Sequence, residues 1–485
     1  MIWLGLILLA AYAAFLGLNT SVVAGGSDTS GYLNSARLLA AGRLQEEQRI
    51  PAEFGAPASL PRHHFMPLGF VALEGNPLLP PTYPVGLPLH LAVAAKLAGW
   101  KLGPLAVEVT LALAAIALCY LLARQFGIEP ELAGAGAVVL AVFPVFLFTS
   151  VQPLSDTPAT TWCLAAACLA LRARGENGWG WAVACGVAFA MAVFVRATNA
   201  VLLPALLVLL GGDAKRLVLF ALGGVPGALW LGYYNHTLYG GPLRSGYGPI
   251  EQTFHWAYGL PSLANFGTWL ALLAPAPLLV LPLVTIWRDR RVDTVALVLW
   301  FGAITGVYGF YEFSRETWWA LRFILPALPA LIVCSLLALQ PLSRPIRRVA
   351  AVALMAWAVA GSLYWTTHLH ALSPKENERV YAEASREIRA KLPANALVAA
   401  MYASGALYYY TDFPVLRWDQ IGAPDFVRYA NQAKLAGRPI YALLFDGLED
   451  EARATRMPGE WMRLATTGPI GLWQLVSIPT SATTP

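Results

Sequence analysis

Four charged residues of this chain stand at the edges of long apolar runs: Asp28, Asp156, Arg196 and Arg322. A charged side chain at the centre of a bilayer costs roughly 2.5–3.5 kcal/mol on insertion scales, so where charge is kept is informative. A carboxylate held at such a boundary can act as a general base, accepting a proton from a hydroxyl as its oxygen attacks. Two guanidinium groups held there can clamp a lipid phosphate, because their forked donors match its oxygens. Each residue also has a plainer reading. Asp28 lies in GGSDTSGYLNSARLLAAGRL, where Ser27 or Asp28 can simply cap a helix. Asp156 lies in VQPLSDTPATTW, where Ser155 or Asp156 with Pro158 is an ordinary helix start. Arg196 (FVRATNAVLLP) and Arg322 (WWALRFILPALPAL) can instead snorkel to headgroups. The local sequence leaves these alternatives open.

The elements that must position these groups are membrane helices. Of 485 residues, 57% are apolar or aromatic and 13% charged, about half the usual charged share for a soluble domain. The mean hydropathy is +0.56. Disorder is excluded by this hydrophobicity. A nucleic-acid binder is disfavoured by a net charge of only +5 with no dense basic stripe. A β-barrel would show short alternating segments instead of long apolar runs. Eleven runs of spanning length are present, at about 2–18, 103–123, 132–150, 157–171, 179–195, 198–212, 216–234, 266–287, 292–311, 320–339 and 348–366. The first could be a signal peptide, with Val22-x-Ala24 as its cleavage site, but no Lys or Arg precedes it, and it reads as a retained anchor.

Charge sets the topology. Lys and Arg in short connections mark the cytoplasmic side. Segment 84–100 contains His90 and Lys96 and could cross or lie at the interface. If it does not cross and the N-terminus is inside, every inner connection is basic. These connections carry Arg124; Arg172 and Arg174; Lys215 and Arg216; Arg288, Arg290 and Arg291; and Arg344, Arg347 and Arg348. If it crossed, all of these would lie outside. Parity therefore predicts an interfacial helix over 84–100. The outer side then receives the loops 19–102 and 235–265 and the tail. Asp28, Arg37, Glu108, Asp156, Arg196, Glu312, Arg315, Glu316 and Arg322 gather on that side, which predicts a polar cavity opening outward.

The tail is a composition break. Ser373-Pro374-Lys375-Glu376 is a capping box with Pro at the first helical position, and it predicts a helix to about Leu392. Leu397–Met401, Ile440–Phe445 and Leu472–Ile478 read as strands, and Ala423–Ala436 as a helix. The expected fold is thus an all-α polytopic membrane protein with interfacial helices over 1–370, followed by a soluble α/β domain over 371–485. Five cysteines, Cys119, Cys163, Cys168, Cys185 and Cys334, lie in apolar stretches without metal spacing and read as packing residues. His63, His64, His236, His255, His368 and His370 fall on the outer side with Glu74. No cofactor is certain from the sequence; a divalent metal on these residues is left open, without any recognised spacing to support it.

The order of these features resembles the polyprenyl-phosphate-sugar-dependent glycosyltransferases of the GT-C fold, and within them the bacterial branch of protein O-mannosyltransferases and the aminoarabinose transferase. The residues that carry the resemblance are Asp28 with Tyr32 and Tyr83-Pro84-x-Gly86-x-Pro88. Ser155-Asp156-x-Pro158, Arg196-x-x-Asn199, Tyr247 in the Gly-rich loop NHTLYGGPLRSGYG, and Arg322-Phe323-x-x-Pro326 complete them. Two departures stand out. The family's first loop often carries an acidic pair, whereas Asp28 is followed by Thr29. Its Lys-Pro-Pro is not obvious, since Leu79 precedes Pro80-Pro81.

What the resemblance implies is inverting transfer of a sugar from a polyprenyl-phosphate donor to an acceptor hydroxyl at the outer face of a bacterial inner membrane. Asp28 would be the base and Asp156 its helper. Tyr32, Tyr83, Arg196, Tyr247 and Arg322 would bind substrate or phosphate. The partners would be the lipid-linked donor, membrane lipids and an acceptor that is a glycan, lipid or protein, with no nucleic acid. A transporter or flippase of a lipid-linked sugar, or a non-catalytic scaffold, is the alternative. Transporters usually show internal repeats and broken helices near the midplane, and here the charge gathers at one face instead.

Overall fold

The computed structural model describes residues 2–55, 60–289 and 291–478; Arg290 lies outside the described residues. The helices run in chain order as α1 (Ile2–Asn19), α2 (Ser27–Ala40), α3 (Gly86–Gln125), α4 (Pro130–Val142), α5 (Pro144–Ser150) and α6 (Asp156–Arg172). They continue as α7 (Trp179–Val195), α8 (Leu203–Leu210), α9 (Ala214–Tyr239), α10 (Ile250–Thr253), α11 (Gly259–Leu273) and α12 (Pro277–Arg288). The last are α13 (Val292–Gly309), α14 (Leu328–Leu339), α15 (Arg344–His368), α16 (Pro374–Lys391), α17 (Ser404–Tyr410) and α18 (Ala423–Leu435). Two compact units result. The first comprises Met1–Thr20, Pro84–His90 and Leu97–Pro374, and the second Ser21–Tyr83, Leu91–Lys96 and Lys375–Pro485.

The first unit is helical, and its apolar helices make the chain a multi-pass membrane protein. Among the described residues, five helices are long and apolar enough to cross a membrane, or up to seven if each bent pair is one span. The eleven expected runs are thus all helical, but several are short or broken. Prolines explain two of the breaks, since Pro lacks a donor and pushes the residue before it out of the helical region. Phe143, before Pro144, is extended, and α4 and α5 meet at 60°. Ala274, before Pro275, is also extended, and the helix ending at Leu273 meets α12 at 109°. In α3 the break falls at Gly99, whose φ of 79° suits glycine and separates the expected helix over 84–100 from the following apolar run.

Small residues let these helices pack closely, as is usual where both sides of an interface are apolar. A methyl group at Gly186 of α7 would lie 2.1 Å from the Phe220 carbonyl oxygen of α9, and one at Gly223 2.1 Å from that of Val183. Gly86, at the start of α3, lies against the backbone of Phe194 and Val195 in the same way. The segment Trp318–Leu339 is the most enclosed apolar stretch, 94% buried, and it starts as a 3-10 helix over Trp318–Ala327. Several basic connections meet. Arg174 pairs with Asp293 at 2.7 Å and donates to the Val208 carbonyl. Arg348 pairs with Glu131, and the Glu129 amide donates to the Gln340 side chain.

The second unit contains a five-stranded sheet. Its strands β3 (Leu397–Ala399), β4 (Val415–Leu416), β5 (Ile440–Phe445), β6 (Glu460–Thr467) and β7 (Ile470–Ser477) follow a two-residue pair, β1 (Glu46–Glu47) with β2 (Leu78–Leu79). The sheet order is β4-β3-β5-β7-β6, with β3 parallel to β4 and β5 and the other pairs antiparallel. Strands 397–399 and 440–445 and helices α16 and α18 match expectation closely. Missed were β4, β6 and α17. Residues 21–83, expected as a loop of the membrane region, build into this unit. Phe54 and Phe65 share one core with Phe426 and Tyr429, and Leu38, Phe70 and Leu79 pack with Tyr408.

Candidate functional site

Within the second unit, α2 starts at Ser27, so the capping position falls to Gly26, which has no side chain to cap with. Asp28 is therefore inside the first turn and is not the cap. A negative charge there is favoured by the helix dipole. The Tyr83 hydroxyl donates to Asp28 Oδ1 at 2.8 Å, and Ser27 Oγ lies 2.9 Å from the same hydroxyl. Since Tyr83 spends its proton on Asp28, Ser27 is the donor to Tyr83. Burial first, and the charge of Asp28 next, push Tyr83 well above the usual phenol range, so it stays a donor. Asp28 itself is half-buried. The Tyr32 ring lies 4.7 Å from that of Tyr83. Gly31 permits this approach: a methyl group there would lie 2.2 Å from Tyr83 Cε2.

A residue that the sequence reading missed completes the turn. Glu378 of α16 accepts from the Gly26 amide at 2.9 Å and, through the same oxygen, from the Thr29 hydroxyl. Burial chiefly raises the Glu378 carboxyl above its ordinary range; the Thr29 and Gly26 bonds oppose this, and the charge of Asp28 adds to it. Nothing in PKENERVYAEASREIRAK marks Glu378 among its charged neighbours. The only sequence signal is the Gly25-Gly26 pair, which suits a close approach by another group.

Within the first unit, Arg196 follows α7 in an extended conformation. Its Nη2 donates to Asp156 Oδ1 at 2.6 Å and to Ser155 Oγ at 3.2 Å. Asp156 is 1% exposed and Arg196 9%, so this is a buried ion pair and Arg196 does not snorkel. Arg196 Nη1 also lies 3.5 Å from the carbonyl oxygens of Arg322 and Phe323. The two expected arginines are thus brought together, through the backbone of one. Arg322 is half-buried, with its guanidinium 5.1 Å from the Trp319 ring centre and 5.0 Å from that of Phe323. Glu108 is fully buried, and neither carboxyl oxygen has a hydrogen-bond partner among the described residues. Tyr308, also missed, bonds Thr198 at 2.6 Å and stacks on Phe323.

The remaining expectations fare differently. Tyr247 is exposed, in a turn where its amide lies 3.4 Å from Ser245 Oγ. The histidines do not converge. His64 bonds the Tyr429 hydroxyl, His255 accepts from the Ala257 amide, and His368 stacks on Tyr364. Among the described residues no group of three His, Cys, Asp or Glu could hold a metal ion.

Residues 83–224 match the family model described as dolichyl-phosphate-mannose-protein mannosyltransferase. The structure of ArnT from Cupriavidus metallidurans bound to undecaprenyl phosphate matches with a TM-score of 0.62 at 14% identity, over 97% of this chain and 98% of that one. The fold is that of the GT-C glycosyltransferases. The archaeal oligosaccharyltransferase AglB from Archaeoglobus fulgidus, in complex with an inhibitory peptide and a dolichol-phosphate, matches with a TM-score of 0.56 at 14% identity, over 96% of this chain and 74% of that one. The arabinofuranosyltransferase AftD from Mycobacteria matches with a TM-score of 0.56 at 13% identity, over 96% of this chain and 40% of that one. No curated protein matches the sequence. The matched stretch 83–224 takes in Tyr83, Asp156 and Arg196.

Proposed function

We propose that this chain is a membrane glycosyltransferase, moving a sugar from a polyprenyl-phosphate donor to an acceptor hydroxyl with inversion at the anomeric carbon. The reaction takes place at the outer face of a bacterial inner membrane, with the N-terminus cytoplasmic and the tail periplasmic. The observation that carries the reading is Asp28: a half-buried carboxylate in the first turn of α2, relieved of capping and oriented by the Tyr83 hydroxyl. The GT-C fold supports the donor class, since ArnT was solved with undecaprenyl phosphate and AglB with a dolichol-phosphate. Nothing in the geometry favours a transporter or a scaffold.

In this mechanism the acceptor oxygen attacks the anomeric carbon as its proton passes to Asp28. The bond from that carbon to the phosphate oxygen breaks, and the polyprenyl phosphate leaves as a stable anion. Such a leaving group needs positive charge more than it needs an acid. Arg322 supplies it. Arg196, committed to Asp156, holds the backbone that carries Arg322, and Asp156 is a positioning residue. Tyr32 backs the Tyr83 ring, and Tyr247 belongs to an exposed loop suited to ordering over a ligand.

The test is Asp28→Asn in the full chain, reconstituted in lipid with undecaprenyl-phosphate-linked hexoses and pentoses, following release of undecaprenyl phosphate. Turnover is expected to fall by about 10²–10⁴-fold, the usual contribution of a general base, with thermal unfolding unchanged. Unchanged turnover removes Asp28 from the mechanism.

A further inference from the structure

We infer that Glu378 is the positioning residue for Asp28: a carboxylate on the tail helix that caps α2 from outside and holds the turn that presents the base. The inference deepens the proposed function and rests on it for the role of Asp28, but the anchoring itself stands on geometry within the second unit.

Helix α2 begins without a capping side chain, because its cap position is Gly26. The first turn of a helix leaves amide donors unsatisfied, and an acceptor oxygen placed there stabilises the helix start. Glu378 supplies that oxygen from 352 residues away. The same oxygen binds the Thr29 hydroxyl, and Thr29 Oγ1 in turn accepts from the Gly25 amide at 3.1 Å. One carboxylate thus ties residues 25, 26 and 29 on both sides of Asp28. Gly25 is shaped for this: a methyl group there would lie 1.9 Å from Glu378 Oε2, where no side chain fits.

A surface-type glutamate would need no such cradle. Glu378 lies in a charged helix, yet it is half-buried and points its charge at the turn that carries another carboxylate. Glu378 therefore anchors the turn that presents Asp28.

Two variants of the full chain test the anchoring. In Glu378→Gln the amide oxygen can still accept from Gly26 and Thr29, but the charge is gone. In Glu378→Ala both are lost. Hydrogen exchange of the Gly25 and Gly26 amides should stay slow in the wild type and in Glu378→Gln, and become fast in Glu378→Ala. Release of undecaprenyl phosphate should fall roughly 10- to 100-fold in Glu378→Ala through kcat, with the donor KM little changed, as for a misplaced catalytic group. Unchanged exchange in Glu378→Ala overturns the anchoring. A wild type inactive on every donor would sink the transferase reading, and the exchange measurement would then decide the anchoring by itself.

Discussion

Asp156 and Arg196 form a pair whose two members are worth little apart. Both are buried, and the 2.6 Å bond between them is what makes burial of either charge tolerable. Removing one partner strands the other. Asp156→Ala should therefore destabilise the chain by about 3–5 kcal/mol, whereas Asp156→Ala with Arg196→Met should lose markedly less. Unfolding in detergent checks this, and equal losses in the single and double variants would mean that the pair is not what holds this region. At this scale the sequence was informative about residue type and silent about partners. Asp156, Arg196 and Arg322 were legible because charge beside an apolar run is unusual. That Asp156 serves Arg196 was not, since they stand 40 residues apart with no periodicity linking them. Glu378 was illegible because a glutamate that binds another helix's first turn and a solvated one look alike in a charged helix.

Helix α2 depends on one glycine. Gly31 lies against the Tyr83 ring and also against the backbone of Gly69, to whose Cα a methyl group would approach to 3.0 Å. The Tyr83 ring is buried and cannot swing aside cheaply. Gly31→Ala should thus cost about 1–3 kcal/mol of stability, the usual penalty of overpacking, and should lower sugar transfer by displacing Tyr83 from Asp28. Differential scanning in detergent reads the first effect, and a melting temperature equal to wild type would show that the ring does not lie on Gly31. Elements with strong local signals were predicted well. The proline after Ser373 starts α16 as expected, and the uniformly apolar Ile440–Phe445 is a fully buried strand. The missed β6 alternates poorly and is largely exposed, and β4 is only two residues long, so neither carries a readable pattern.

At the scale of the whole molecule, the second unit carries carboxylates whose stabilisation is lost in acid. Burial alone would raise Asp419, but the Arg417 guanidinium, bonded to both its oxygens, outweighs burial and holds it below its ordinary value. Glu53 is held low by Arg438 against burial in the same way. A carboxyl depressed in the folded state binds protons more readily when unfolded. Its stabilisation is complete above the unfolded value, about pH 4, and is lost as pH falls through the folded one. Glu378 and Glu449, which burial raises, are protonated in both states in that window and add no slope there. Tryptophan emission should therefore report unfolding of the unit that begins below about pH 4. Arg417→Met should flatten that dependence, and an unaltered acid transition would exclude the Arg417 pair as its source.

The amino-acid sequence by itself determined where the apolar runs lie, which connections are basic and where the strongest helices and strands begin. These are consequences of local composition and period, because burial in lipid or in a sheet is imposed residue by residue along the chain. Tertiary structure alone decided that Tyr83 orients Asp28, that Glu378 caps α2, that Arg196 belongs to Asp156, and that residues 21–83 share a core with the tail. Each of these joins groups far apart in the chain through one or two hydrogen bonds or a few packed rings. Such a contact satisfies a buried polar group or fills a space, and it leaves no repeat in the sequence from which it could be read.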